Sequence, residues 1–213
     1  MVKGAMFHSD RDAICTVLFS QTLHAYMYYH CGGEFGGKVD KVKIDEYAEL
    51  ANFMLSCLVK YRENGLILWS AACNLTSLCM VDERSILHVE RWGRVKVQTE
   101  EDDAGGSGGG GDEDSVTVDD GSISGGKLDG CKLIVKGMQE NMDNVHLQEQ
   151  YCRLIICMSK QLDARMSLLR SDAFDVLKGN TEELKRRGSK DIGGFLRLSM
   201  NAQLALETGQ QFS

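Results

Sequence analysis

Residues 132–177 read KLIVKGMQENMDNVHLQEQYCRLIICMSKQLDARMSLLRSDAFDVL. Leu147, Tyr151, Leu154, Ile155 and Met158 recur at spacings of three and four, which places them on one face of a helix. A shorter apolar segment, Leu133-Ile134-Val135, stands before that face, and a second short helix follows it. The stretch is one helical unit whose greasy side needs neighbours, and segments of the same kind occur on both sides of it.

Upstream, Ser9 or Asp10 is a natural cap for a helix carrying Ile14, Val17, Leu18, Gln21 and Ala25 to about Tyr29. Residues 31–37, CGGEFGG, are a loop by composition. A second helix is expected over about 44–61, with Tyr47, Leu50, Ala51, Met54, Leu55, Leu58 and Val59 on one face. Arg62-Glu63-Asn64-Gly65 breaks it, with Gly65 suited to a left-handed C-terminal turn. The helix expected over 66–80 is apolar almost all round, as a helix sandwiched between neighbours must be. A short helix over 83–91 ends at Trp92-Gly93. Downstream, helices are expected over 128–140, 144–160, 163–170, 173–187 and 194–207. The tail from Thr208 should fray.

Residues 99–126, TEEDDAGGSGGGGDEDSVTVDDGSISGG, have a different character. They are acidic, rich in glycine and poor in large apolar groups, so they cannot bury enough surface to offset their ordering entropy. The reading is a disordered insertion separating N-terminal helical repeats (1–98) from C-terminal repeats of the same unit (127–213). Proline is absent from the chain, and its 23 glycines supply the punctuation instead.

Composition narrows the function. At 43% hydrophobic and 26% charged, the 213-residue chain is ordinary for a globular protein and can bury roughly 70% of its unfolded surface. The net charge of -7 lies largely in the acidic insertion, and no basic face marks a nucleic-acid binder. No apolar run approaches the roughly 20 residues needed to span a bilayer. The opening MVKGAMFHSDRD lacks the apolar core of a signal peptide, which suggests a cytoplasmic, reducing setting. Five of the eight cysteines, Cys57, Cys73, Cys79, Cys152 and Cys157, fall inside apolar helical patterns, where a free thiol acts as a small hydrophobe.

The helical units overlay. Leu68-Trp69-Ser70-Ala71-Ala72-Cys73-Asn74-Leu75 lies on Leu147-Gln148-Glu149-Gln150-Tyr151-Cys152-Arg153-Leu154, and Asp12 to Val17 lies on Ser70 to Leu75. Without the glycine-rich insertions the period is roughly 40 to 50 residues, at or near that of armadillo and HEAT repeats. Ser167-Leu168-Leu169-Arg170-Ser171-Asp172-Ala173-Phe174-Asp175-Val176-Leu177 resembles the armadillo family's short first helix, tight turn and entry to the second helix. Ile86-Leu87-His88-Val89-Glu90-Arg91-Trp92-Gly93 resembles the same junction one repeat earlier. The resemblance covers most of the chain outside 30–43 and 99–126. It implies an armadillo-like α-solenoid of three to four short repeats. The family's proline near the start of its second helix is missing. The tryptophan and asparagine that importin-type members carry on the third helix are replaced by Cys73 and Ser77, then Cys152 and Ile156. A receptor for nuclear signals is therefore not expected.

Candidate sites follow from the same reading. The resemblance implies a groove lined by the third helices, here 10–26, 66–80 and 144–159, and its polar residues Asn74, Ser77, Gln148, Gln150 and Arg153 become candidate partner contacts. Lys185-Arg186-Arg187-Gly188-Ser189 makes Ser189 a candidate phosphorylation site, set against a solvated helix end with favourable charge. His24, His30 and Cys31 match no compact zinc motif, and Gly105 to Gly111 lacks the lysine of a phosphate loop. No nucleophile–base pair is recognisable, so neither a cofactor, a metal nor an enzymatic activity is expected. The expectation is a non-catalytic protein–protein interaction scaffold inside a larger complex. The alternative is a structural subunit of a cytoskeletal or organellar assembly, held through exposed solenoid ends.

Overall fold

The computed structural model describes residues 44–81, 83–93, 129–188 and 192–209, and every described element is a helix. In chain order they are α1 (Ile44–Lys60), α2 (Gly65–Val81), α3 (Glu83–Arg91), α4 (Gly130–Glu140), α5 (Val145–Met158), α6 (Leu162–Arg170), α7 (Ala173–Arg186) and α8 (Gly193–Thr208). Each lies within two residues of its expected bounds. The expected helix at 10–29, the loop at 31–37, the insertion at 99–126, the zinc candidates and Ser189 all lie outside the described residues.

Local chemistry sets the boundaries. Asp129 caps α4, its carboxylate accepting from the Lys132 amide at 2.8 Å, and Asn144 caps α5, its side-chain oxygen accepting from the Leu147 amide at 3.1 Å. Asn64 does the same for α2, accepting from the Ile67 amide at 3.2 Å. Gly65 is thus the first residue of α2, and its φ is not positive, contrary to the left-handed turn expected there. Its small size serves close approach instead: a Cβ at Gly65 would lie 2.7 Å from the Asn144 side chain. Between α6 and α7 the chain turns through Asp172 at φ 62°, a conformation aspartate tolerates better than most residues. Gly93 and Gly209 take positive φ after α3 and α8.

The helices pack in successive layers. α2 packs on α5 and α5 on α8; behind this row, α1 packs on α4 and α4 on α7, while short α3 packs on α6. One continuous core runs through all of them, from Leu50, Phe53 and Met54 in α1 to Phe195, Ala202 and Leu206 in α8. Gly130 lets α4 start hard against α3, because any Cβ there would collide with the Val89 carbonyl. α2 carries no charged residue in its 17 positions, and it is buried almost all round, as its composition requires.

The layers repeat in detail. The turn after α1 closes with Asn64 N to Tyr61 O at 2.9 Å and Leu68 N to Asn64 O at 3.0 Å. The turn after α4 closes with Asn144 N to Asn141 O at 3.1 Å and Gln148 N to Asn144 O at 2.9 Å. Asn64 corresponds to Asn144, so the true offset is one residue greater than the one that aligned Cys73 with Cys152. Cys73 instead corresponds to Arg153, Ala72 to Cys152, and Ile67 to Leu147. A one-residue slip rotates a helix by only about 100° and leaves a similar apolar count; the capping asparagines decide the register.

Replacing Asn144 by alanine should lower stability by about 1 kcal/mol through loss of the cap, while Asn144→Asp should retain most of it. Urea denaturation followed by circular dichroism measures both.

Candidate interaction surface

The five candidate contact residues divide into two groups. Asn74 and Gln148 are fully buried and offer no surface to a partner, which corrects the expectation for both. Asn74 donates to the Ser70 carbonyl at 2.8 Å inside α2. Gln148 ties the last two layers together: its Nε2 donates to the Met138 carbonyl at 2.8 Å and the Asn141 carbonyl at 3.0 Å, and its Oε1 accepts from Asn180 Nδ2 at 3.0 Å. These carbonyls sit at the end of α4, where a helix runs short of amide donors; the Met138 carbonyl also accepts from Asn180 at 3.3 Å and the Asn141 carbonyl from the Asn144 amide at 3.1 Å. Gln148 is therefore an internal cap, and Asn180 extends the network to α7. A second buried pair, Thr181 Oγ1 and Ser199 Oγ at 2.8 Å, joins α7 to α8.

Ser77, Gln150 and Arg153 do reach solvent. Ser77 is half-buried, with its hydroxyl donating to the Cys73 carbonyl at 3.1 Å. Gln150 is half-buried and Arg153 exposed, on the solvent-facing stripe of α5 that also carries His146, Glu149, Ile156 and, just past the helix, Lys160. α2, which packs on α5, has partly exposed Trp69 and Ser77 and well-exposed Leu66 and Met80, with Cys73 buried between them in the sequence. Glu149, one turn before Arg153, does not pair with it. The Glu149 carboxylate lies near Gly194 in the first turn of α8, where the helix dipole favours an anion.

The thiols belong to the core. All six described cysteines are free and buried. Burial pushes the Cys57 thiol up to about 12, and Cys73 likewise, with the nearby Arg153 charge pulling weakly the other way. Burial also raises Cys79, Cys152 and Cys157. Such thiols are poor nucleophiles. Among the described residues no group of three or more His, Cys, Asp or Glu side chains is placed to hold a metal ion, and no helix is long and apolar enough to cross a membrane.

The arginines before Ser189 are engaged. Arg186 and Arg187 both donate to the Glu183 carboxylate, and Arg187 also pairs with Asp143 at the α4–α5 turn. The two hydrogen-bonded guanidinium groups hold the exposed Glu183 carboxyl down at about 2. Such exposed pairs contribute little to stability.

The described residues form an all-helical layered fold in which α5 packs between α2 and α8. Searches against protein-family models, curated proteins and solved structures find no match.

Gln148→Ala removes three hydrogen bonds and leaves the Met138 carbonyl with the 3.3 Å bond from Asn180 and the Asn141 carbonyl with the Asn144 amide, so it should cost about 1–2 kcal/mol. Arg153→Ala should change stability by less than about 0.5 kcal/mol. Denaturation midpoints of the two variants make the comparison.

At alkaline pH the sign is set by the raised thiols. Below pH 9 the thiols are neutral in both states. Above it, unfolded cysteines ionise while folded Cys57 and Cys73 stay protonated to about 12, so stability falls as pH rises. Denaturant titrations between about pH 8 and about pH 11 should show this decline, and it should be shallower in a Cys57→Ala/Cys73→Ala variant.

Proposed function

We propose that the chain is a non-catalytic protein-interaction subunit of a larger cytoplasmic complex, built as a short armadillo-like solenoid. The observation that supports this reading is the repeated layer. α1–α2 and α4–α5 share turn, cap and hydrogen-bond pattern, and α7–α8 stacks on α4–α5 as the next helix pair. Stacked repeats of this kind present an extended surface with no deep cleft, which suits contact with another protein. The polar groups buried in the layers are spent on joining them: Gln148, Asn180, Thr181 and Ser199 all bond within the fold. That leaves the exposed stripe of α5, with Gln150 and Arg153, as the partner-facing candidate.

A second reading, attachment through a solenoid end to a structural assembly, is favoured by one observation. Met200 on the terminal helix α8 is 68% exposed, with half-buried Leu196 and Leu204 one turn away on either side.

Affinity capture from the native source, followed by mass spectrometry, separates the two. Loss of a partner on Arg153→Glu/Gln150→Glu, with Met200→Glu behaving as wild type, is the expected outcome. The opposite pattern would move binding to the terminal layer.

A further inference from the structure

The two faces of α8 differ in chemistry. Phe195, Ser199, Ala202, Ala205 and Leu206 are buried in the layers, where α8 meets α5, α6 and α7. Met200, 68% exposed, stands at the middle of the opposite arc. Leu196 and Leu204, four positions to either side, lie about 40° off its direction at about 100° per residue. Gly193 and Glu207, seven positions to either side, lie about 20° off it. The leucines are half-buried, and Gly193 and Glu207 are exposed. The arc is thus spaced evenly about Met200. It carries one cation, the exposed Arg197, and one anion, Glu207, neither in an ion pair among the described residues. α8 also starts without a cap of its own: Ile192 offers no side-chain acceptor, and the first turn holds no acidic residue. Glu149 lies on the Gly194 side of that turn, whereas a Cβ at Gly193 would meet nothing within 4 Å.

We infer that a second copy of this chain covers the arc, with the two α8 helices antiparallel about a two-fold axis at Met200. In a two-fold contact residue i meets j and j meets i, so one patch must complement itself. Here Met200 meets Met200, and Leu196 stands level with Leu204 of the second copy. Glu207 reaches the open Gly193 side of the other copy's first turn, where the helix dipole favours an anion. Arg197 stands about 6 Å along the axis from Glu207 of the second copy, within reach of two long side chains. A parallel two-fold would set Arg197 on Arg197 and Glu207 on Glu207, and like charges in contact oppose association. Charge therefore selects both the orientation and the occupant. The 16 residues of α8 span about 24 Å, less than a standard interface of roughly 800 Å² per partner requires, so the dimer is weak and concentration-dependent. The inference goes beyond the interaction-subunit reading and uses a different face, so either can fail without the other.

Sedimentation equilibrium of the full 213-residue chain under reducing conditions tests it. The expected result is a reversible monomer–dimer equilibrium with a Kd between about 1 µM and about 1 mM. Met200→Glu sets two carboxylates face to face and should weaken the dimer about a hundredfold, with an unchanged circular dichroism spectrum because the position is exposed. Arg153→Glu should leave the dimer as it is. Orientation is read by mild oxidation of cysteine variants, with the crosslinks mapped by mass spectrometry. Leu196→Cys mixed with Leu204→Cys should crosslink between those positions, and neither variant should crosslink to itself there. A chain that stays monomeric up to about 1 mM, a dimer indifferent to Met200→Glu, or 196–196 crosslinks would overturn the inference. A monomer whose native capture of another protein requires Met200 overturns it too, and assigns the arc to that protein.

Discussion

Helix α5 is held between α2 on one side and α8 on the other, with α4 and α6 behind it, and the rest of the architecture depends on that sandwich. Leu147, Tyr151, Cys152, Leu154, Ile155, Cys157 and Met158 point in enough directions that no single partner could cover them. A 14-residue helix of this kind has little stability in isolation. Its burial on several sides is what makes it a layer, and the same demand carries on into α2 and α8. Among the described residues the direction left open is the stripe of Gln150 and Arg153, so the requirement that stabilises the helix also sets which of its side chains face solvent.

Polar groups fix how the layers meet. Apolar stacking alone tolerates sliding, because many apolar surfaces of similar size pack almost equally well. The bonds from Gln148 to two α4 carbonyls, and from Asn180 to Gln148, have only one geometry. In the earlier layer the position corresponding to Gln148 is Leu68, buried without any such network. The α1–α2 junction therefore relies on shape and the Asn64 cap, while the α4–α5 junction adds a hydrogen-bonded lock.

The helices were legible in the sequence because their signals are local. Period-3.6 apolar runs, asparagine caps at Asn64 and Asn144, and short polar breaks sit within a few residues of what they determine. The candidate contacts were harder, since Asn74 and Gln148 look like solvent-facing polar positions on an apolar helix. Only the tertiary fold reveals that α4 ends beside Gln148 with carbonyls that need a donor. The repeat register failed for a related reason: Cys73 and Cys152 are chemically alike and both buried, yet they occupy neighbouring positions of the repeat. Arg153 was readable as a surface residue because charge and burial seldom coexist without a partner, whereas the neutral Gln150 is only half-buried.

The layered account is tested most directly by native-state hydrogen exchange resolved along the chain. Amides of α5 should exchange only through global unfolding, whereas α8, which packs on α5 and α7 but leaves Met200 exposed, should open at lower free energy. Exchange in α5 as fast as in α8, or α5 opening independently of α2 and α4, would contradict an architecture centred on that helix.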